Sequence, residues 1–199
     1  MGAFCPVPFW NDQLAQQVQT AIVAPTLKGI QAEAGMVYKG VLYFGIMLTA
    51  EGPQLLEYNV RFGDPETEVL LPALKSDLAV LVRACLEGTL AEVELEFNEG
   101  YFVDVVQVSG GYPRSYDKGY VIQGLDQVEA ATYFHAGTKR NADGQWCTNG
   151  GRVLNIVARG DSLDEAIERA YAECAKVHFE NNYYRRDIGR RPHKGYYKA

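Results

Sequence analysis

Three observations predict an α+β fold. Apolar residues at intervals of three to five, Leu14, Val18, Ile22, Val23, Leu27 and Ile30, suit an amphipathic helix over Asn11–Ala34. The apolar run Val41–Leu48 (VLYFGIML), the turn-forming Thr49–Pro53 and the run Gln54–Val60 suit an antiparallel hairpin. From about Ala91 the pattern becomes β-rich, with Tyr101–Ser109 (YFVDVVQVS) as its clearest strand and a closing helix over Asp161–Val177. Two consecutive parts are expected: residues 1–90, with helices on a hairpin, and residues 91–199, strand-rich.

Taken in order, Met1–Pro8 (MGAFCPVP) is short, carries two prolines and reads as a loop. Asn11 or Asp12 can cap the first helix, and Pro25 begins a new helical segment or a kink, because it has no backbone N–H to donate. Gly45, inside the first hairpin strand, marks a bulge or a close approach of a ligand to the backbone. After Gly63-Asp64-Pro65, the series Val69, Leu70, Leu71, Leu74, Leu78, Val80, Leu81 and Val82 implies one broken helix or two, split near Pro72 or Lys75-Ser76-Asp77 and ended by Gly88. Gly110-Gly111-Tyr112-Pro113 is a sharp turn. Short strands are expected near Tyr120–Ile122, Ala131–His135, Gln145–Cys147 and Arg152–Ala158, and the closing helix has a cap at Asp161 or Ser162. The basic tail Tyr184–Ala199 is expected to fray, its arginines solvated unless they meet phosphate.

Composition narrows the class. At 199 residues and 47% hydrophobic, the chain can bury one good core or two small ones. A net charge of −6 leaves no basic excess to displace counterions, so nucleic acid is not an expected partner. Cys5, Cys85, Cys147 and Cys174 form no Cys-x-x-Cys pair and no zinc-type spacing with the three histidines, and so read as buried or free thiols of a reducing compartment. No apolar run approaches the roughly 20 residues that cross a bilayer, and no leader pattern opens the chain. A cytoplasmic location and no membrane partner are expected.

The densest chemistry lies in Leu55–Glu66, LLEYNVRFGDPE. In a strand, residues two apart share a face, so Glu57, Asn59 and Arg61 should point the same way. A carboxylate and an amide oxygen are hard donors that suit Mg²⁺, which completes its shell with phosphate and water. Arg61 adds a planar fork of donors for phosphate or carboxylate. A helix opening at Asp64–Glu66 would also turn backbone N–H groups toward an anion. Glu66 and Glu68 suit the positive end of that helix, and Glu66 could instead orient a substrate amine. Spacing alone leaves two readings open: a metal-bound phosphate site, or a solvated polar face followed by an ordinary turn.

Glu57-x-Asn59-x-Arg61-Phe62-Gly63-Asp64-Pro65-Glu66 resembles the signature of phosphoribosylamine–glycine ligase, an ATP-grasp family of purine synthesis. The resemblance extends to Met1–Pro8, to Gly111-Tyr112-Pro113 with Tyr116-x-Lys118-Gly119, to His135-Ala136-Gly137-Thr138, to Thr148-Asn149-Gly150-Gly151-Arg152 and to Tyr184-Arg185-Arg186-Asp187-Ile188-Gly189. It implies the carboxy-terminal part of an ATP-grasp domain followed by the family's small carboxy-terminal domain. It also implies that Met1 corresponds to an internal position of the family, so that an amino-terminal half carrying the adenine pocket and the phosphate-covering loop is missing from these residues. The implied reaction joins glycine to 5-phosphoribosylamine at the expense of ATP, through glycyl phosphate. In it, Glu57 and Asn59 would hold Mg²⁺ or Mn²⁺, and Arg61 and Asp64 would act at the transferring group. Gly63, Asp64 and Glu66 would hold glycine, and Gly150, Gly151 and Arg152 would face the ribose phosphate. Partners would be these small molecules and the missing half. Two alternatives stand beside this reading: a non-catalytic fragment or subunit that binds the missing half, and another ATP-grasp carboxylate–amine ligase.

Overall fold

The computed structural model describes residues 1–190, so positions 191–199 of the basic tail lie outside the described residues. The chain forms two compact units that interleave in sequence, whereas the expected parts run consecutively. One unit comprises Met1–Pro6, Asp64–Ala73 and the chain from Asn98 on; the other comprises Val7–Gly63 and Leu74–Phe97.

The first unit is built on an antiparallel sheet. Its strands are β1 (Gly2–Cys5), β4 (Tyr101–Ser109), β5 (Thr132–His135), β8 (Arg152–Gly160) and β9 (Asn182–Tyr183). They run in the order β1-β4-β8-β5, with β9 also on β4. β2 (Tyr43–Thr49) and β3 (Gly52–Asn59) belong to the other unit, and β6 (Thr138–Arg140) pairs with β7 (Trp146–Thr148) as a separate ribbon. Met1–Pro8, expected as a loop, supplies β1, because Gly2 to Cys5 lie in register with Val105 to Phe102. Four residues become a strand by pairing with a partner about a hundred positions away, which local composition cannot reveal. The strand expected at Tyr120–Ile122 is reduced to isolated bridges, Val121 to Cys147 and Gln123 to His178.

Both faces of β4 are covered, which is why residues 102–109 are all buried. On one face Val103 and Val105 join Leu154, Ile156 and Ala158 of β8 against Leu163, Ala166, Ile167, Ala170 and Cys174 of α5 (Leu163–Cys174). Full burial of each large aliphatic side chain here is worth about 1.5–3 kcal/mol. Helix α5 starts where expected, since the Ser162 hydroxyl accepts from Glu165 N–H at 3.2 Å and Glu165 Oε2 accepts from Asp161 N–H at 2.7 Å. On the other face Phe102 and Val157 pack with Val69 and Ala73 of α3 (Thr67–Ala73). The described part of the tail is tied down, contrary to the expected fraying. Arg186 lies 4.5 Å over the Tyr184 ring, Arg190 lies 5.3 Å over Tyr171, and Arg185 grips Asp187 through Nε at 2.8 Å and Nη2 at 2.6 Å.

Two glycines of this unit sit at a backbone crossing. A Cβ on Gly137 would stand 2.5 Å from the Arg152 carbonyl oxygen and 2.6 Å from Gly150 Cα. Gly137→Ala is therefore expected to cost about 1–3 kcal/mol through overpacking, read as a lowered urea midpoint. An unchanged midpoint would mean that the crossing relaxes freely.

In the second unit, α1 (Asp12–Val18) is capped by Asn11 Oδ1, which accepts from Leu14 N–H at 2.9 Å. A π-helical turn over Gln19–Val23 leads to α2 (Ala24–Ala34), where Pro25 occupies the first turn as its missing N–H requires, and Gly35 at φ 65° ends the helix. Strands β2 (Tyr43–Thr49) and β3 (Gly52–Asn59) form the expected hairpin, with an irregularity between Gly45 and Ile46. Asp77 caps α4 (Leu78–Glu87), accepting from Ala79 and Val80 N–H, and Gly88 at φ 83° ends it. The split expected near Pro72–Asp77 thus falls after Ala73.

Candidate functional site

The hairpin register decides where the hard donors go. Asn59 lies opposite Tyr43 and Glu57 opposite Gly45, so the two ligand candidates share one face of β3. A Cβ on Gly45 would stand 2.9 Å from Glu57 Cγ, so the glycine gives the carboxylate stem its room. Glu57 is exposed and Asn59 half-buried; neither side chain has a hydrogen-bond partner among the described residues. Arg61 departs from the expected alternation. The strand ends at Asn59, and the Arg61 guanidinium turns back to donate from Nη1 to the Phe62 carbonyl at 2.7 Å. Among the described residues no group of three or more His, Cys, Asp or Glu side chains could hold a metal ion. A cation on Glu57 and Asn59 would need the rest of its shell from substrate oxygens and water, the ordinary state of Mg²⁺.

The first unit brings Asp64 and Arg152 together from opposite ends of its sequence. Arg152 Nη1 donates to Asp64 Oδ1 at 2.8 Å and to the Asp64 carbonyl at 3.3 Å. A partly exposed pair of this kind adds about 0–1 kcal/mol to stability, so its consequence is geometric: the guanidinium is held in one place. Glu68, one helical turn beyond Asp64, has its pKa raised, chiefly by burial, with Asp64 and Glu66 adding to the shift and its own backbone N–H and Arg152 opposing it. Its Oε2 is buried without a hydrogen-bond partner.

Gly150 and Gly151 have packing reasons of their own. The Gly150 carbonyl accepts from Ser109 Oγ at 2.8 Å, and a Cβ on Gly151 would stand 2.2 Å from Tyr112 Cδ2. His135 is held by Thr138, Nδ1 to Oγ1 at 2.9 Å, and by Trp146, whose ring centroid is 4.1 Å away. Burial lowers its pKa, with Arg140 as the second cause. The sequence reading passed over Asp104, which is wholly buried beside this acidic group. Its signal was available: a carboxylate inside the continuous apolar run FVDVV.

Comparison with known proteins shows that the fold carrying the Glu57–Asn59 strand and the Asp64–Arg152 pair is the carboxy-terminal part of an ATP-grasp domain with a following C domain. The family model described as phosphoribosylglycinamide synthetase, ATP-grasp (A) domain, matches residues 1–67, and the one described as phosphoribosylglycinamide synthetase, C domain, matches residues 102–191. The phosphoribosylamine–glycine ligase of Caldanaerobacter subterraneus subsp. tengcongensis is 47% identical over 188 residues, which are 94% of this chain and 45% of the relative. That of Halalkalibacterium halodurans is 46% identical over 190 residues, 95% of this chain and 44% of the relative. The crystal structure of the Thermotoga maritima enzyme of that name superposes with a TM-score of 0.80 at 39% identity, covering 94% of this chain and 46% of the other. The chain belongs to the phosphoribosylamine–glycine ligase family and corresponds to its carboxy-terminal half. It spans about 45% of the length of the bacterial ligases named above. Among the described residues no helix is long and apolar enough to cross a membrane.

Proposed function

We propose that these residues provide the metal-binding strand and the acid–arginine pair of an enzyme that ligates glycine to 5-phosphoribosylamine with ATP. The observation that carries this reading is the shared, unpartnered face of Glu57 and Asn59. Carboxylate oxygen is a poor leaving group, so glycine is first phosphorylated by the γ-phosphate of ATP, giving glycyl phosphate and ADP. The amine of phosphoribosylamine then attacks the acyl carbon, the C–O bond to phosphate breaks, and the amine loses a proton to solvent or to a base. Phosphoryl transfer asks the protein for position and charge neutralisation more than for covalent help.

Glu57 and Asn59 fit a divalent cation, Mg²⁺ or Mn²⁺, which when bound neutralises charge on the phosphate oxygens. Asp64 accepts from the glycine ammonium, and Glu66 is the second acceptor within the same turn. Arg152, fixed by Asp64, offers its remaining N–H groups to a phosphate. Arg61 spends one N–H on the Phe62 carbonyl and offers the others to the transferring group. In this reading the Gly63 backbone serves glycine, and the Gly150 and Gly151 backbone serves the ribose phosphate.

The test pairs the chain with the part of the Caldanaerobacter ligase that it does not match. Glu57→Gln and Asn59→Ala are expected to raise the Mn²⁺ concentration needed for half-maximal ligation by about tenfold or more, on the order of the loss seen when a metal's surroundings are altered. Enhancement of water-proton relaxation by Mn²⁺ with ATP gives a second, activity-independent reading. If both substitutions leave metal affinity and turnover at the unsubstituted level, the metal assignment fails.

A further inference from the structure

We propose that Glu68 is the base that takes the proton from the attacking amine of phosphoribosylamine. The inference rests on the functional reading above and deepens it by assigning the proton that the amine must lose. The amine nitrogen attacks the acyl carbon of glycyl phosphate, an N–C bond forms, and the C–O bond breaks with its electron pair leaving on phosphate. The electrons of the N–H bond stay on nitrogen, and the proton passes to Glu68 Oε2, from which water or the released phosphate recovers it.

The first unit singles out this carboxylate by its position and by what it lacks. Glu68 opens α3 four residues beyond Asp64, a spacing that sets the two side chains on one side of the turn. Asp64 is committed to Arg152, which donates to its carboxylate at 2.8 Å and to its carbonyl at 3.3 Å. With the glycine ammonium at Asp64, the acyl carbon follows one methylene later, within reach of the next acidic side chain of the turn. The Glu68 backbone N–H serves its own carboxylate, while Oε2 is buried with no hydrogen-bond partner among the described residues. An acceptor buried without a donor is costly, and an amine N–H is the donor that this reaction brings to it.

The surrounding charges suit the task. Asp64, Glu66 and Arg152 face Glu68 from its own turn and from β8, and Asp104 faces it from β4. Burial raises the proton affinity of Glu68 and its own N–H lowers it, after which Asp64 raises it, Arg152 lowers it and Glu66 adds a little. Asp104, wholly buried and with neither oxygen partnered, is pushed up to about 9, first by burial and then by Glu68, against the pull of the chain's amino group. Neighbouring carboxylates resist ionising together, and their repulsion falls on the one that ionises second. At neutral pH Asp104 therefore keeps its proton and Glu68 carries the charge, a stronger base than an ordinary carboxylate.

In the pair formed with the unmatched part of the Caldanaerobacter ligase, Glu68→Gln is expected to lower turnover by about a hundredfold or more. It should leave intact the glycine-dependent scrambling of heavy oxygen between bridging and non-bridging positions of ATP, which reads glycyl phosphate formation alone. The ratio of unsubstituted to Glu68→Gln turnover should fall as pH drops through the Glu68 titration, since a protonated acid is no better a base than the amide. Carboxyl-carbon NMR of the 199-residue chain locates that titration independently, above the ordinary value of about 4.3. Asp104→Asn keeps the shape of the neighbour and should leave turnover near that of the unsubstituted pair. Full turnover by Glu68→Gln, a ratio indifferent to pH, a Glu68 titration at or below the ordinary value, or scrambling lost with Glu68→Gln would each overturn the proposal. So would an Asp104→Asn loss as large as that of Glu68→Gln, because packing would then account for both. Absence of scrambling in the unsubstituted pair would instead sink the ligase reading itself, and the base with it.

Discussion

Given ATP, glycine, phosphoribosylamine and Mg²⁺, the 199-residue polypeptide alone is expected to form no measurable glycinamide ribonucleotide, and to do so once the unmatched part of a relative is supplied. Stabilising a transferring phosphoryl group takes cations and backbone donors around the β- and γ-phosphates in a site that excludes water. Within these residues the candidates are two oxygen ligands on a hairpin strand, Arg61, and Arg152 fixed by Asp64. One carboxylate and one amide bind Mg²⁺ weakly without phosphates held in place. Transfers of this kind depend on positioning worth about 7–11 kcal/mol, so the expected contrast between the chain alone and the pair is many orders of magnitude. Turnover by the unaided chain, at a rate not lost with Glu57→Gln, would overturn this expectation. Formation of product only on mixing would assign the missing positioning to the added polypeptide.

Much of this architecture was legible in the residues, for identifiable reasons. The hairpin, β4, β8 and α5 each carry a sustained apolar pattern together with a capping or turn residue, and such local agreement is what sequence reading detects. Where it failed, the cause was non-local. β1 owes its strand to β4, and β6 and β9 are runs of three and two residues defined by pairing. The interleaved units were hidden for the same reason, since Met1–Pro6 and Asp64–Ala73 join the later chain only through packing on β4. At the site, alternation set Glu57 and Asn59 on one face but overreached by one step to Arg61, because it presumes a strand that ends two residues earlier. The pairing of Asp64 with Arg152, 88 positions apart, was not legible in the residues, since resemblance assigned both to substrate but not to each other.

Replacing Asp104 is expected to stabilise the protein above neutral pH, against the usual rule that core substitutions destabilise. Its side chain is 0% exposed on a strand of valines, and neither carboxyl oxygen has a hydrogen-bond partner among the described residues. Burial pushes its pKa up to about 9, with Glu68 and then Asp64 adding to the shift, the chain's amino group opposing it, and Glu66 adding a little more. An unfolded aspartate titrates near 3.9, so between about pH 4 and 9 the folded state holds a proton that the unfolded state has released. Stability is then fully present below pH 4 and falls as pH rises, by at most about 1.4 kcal/mol per pH unit, until the folded group ionises near pH 9. Asp104→Asn keeps the shape and removes the titration, so its urea midpoint should vary less steeply over that window. Asp104→Val also removes the unpaired oxygens, each costing about 1–3 kcal/mol, and faces Val157 across the sheet, so it should raise the melting temperature at pH 8 more than at pH 5. Equal pH slopes for the aspartate and asparagine forms would show that the carboxyl finds water or a donor in solution, and the buried neutral acid would have to be abandoned.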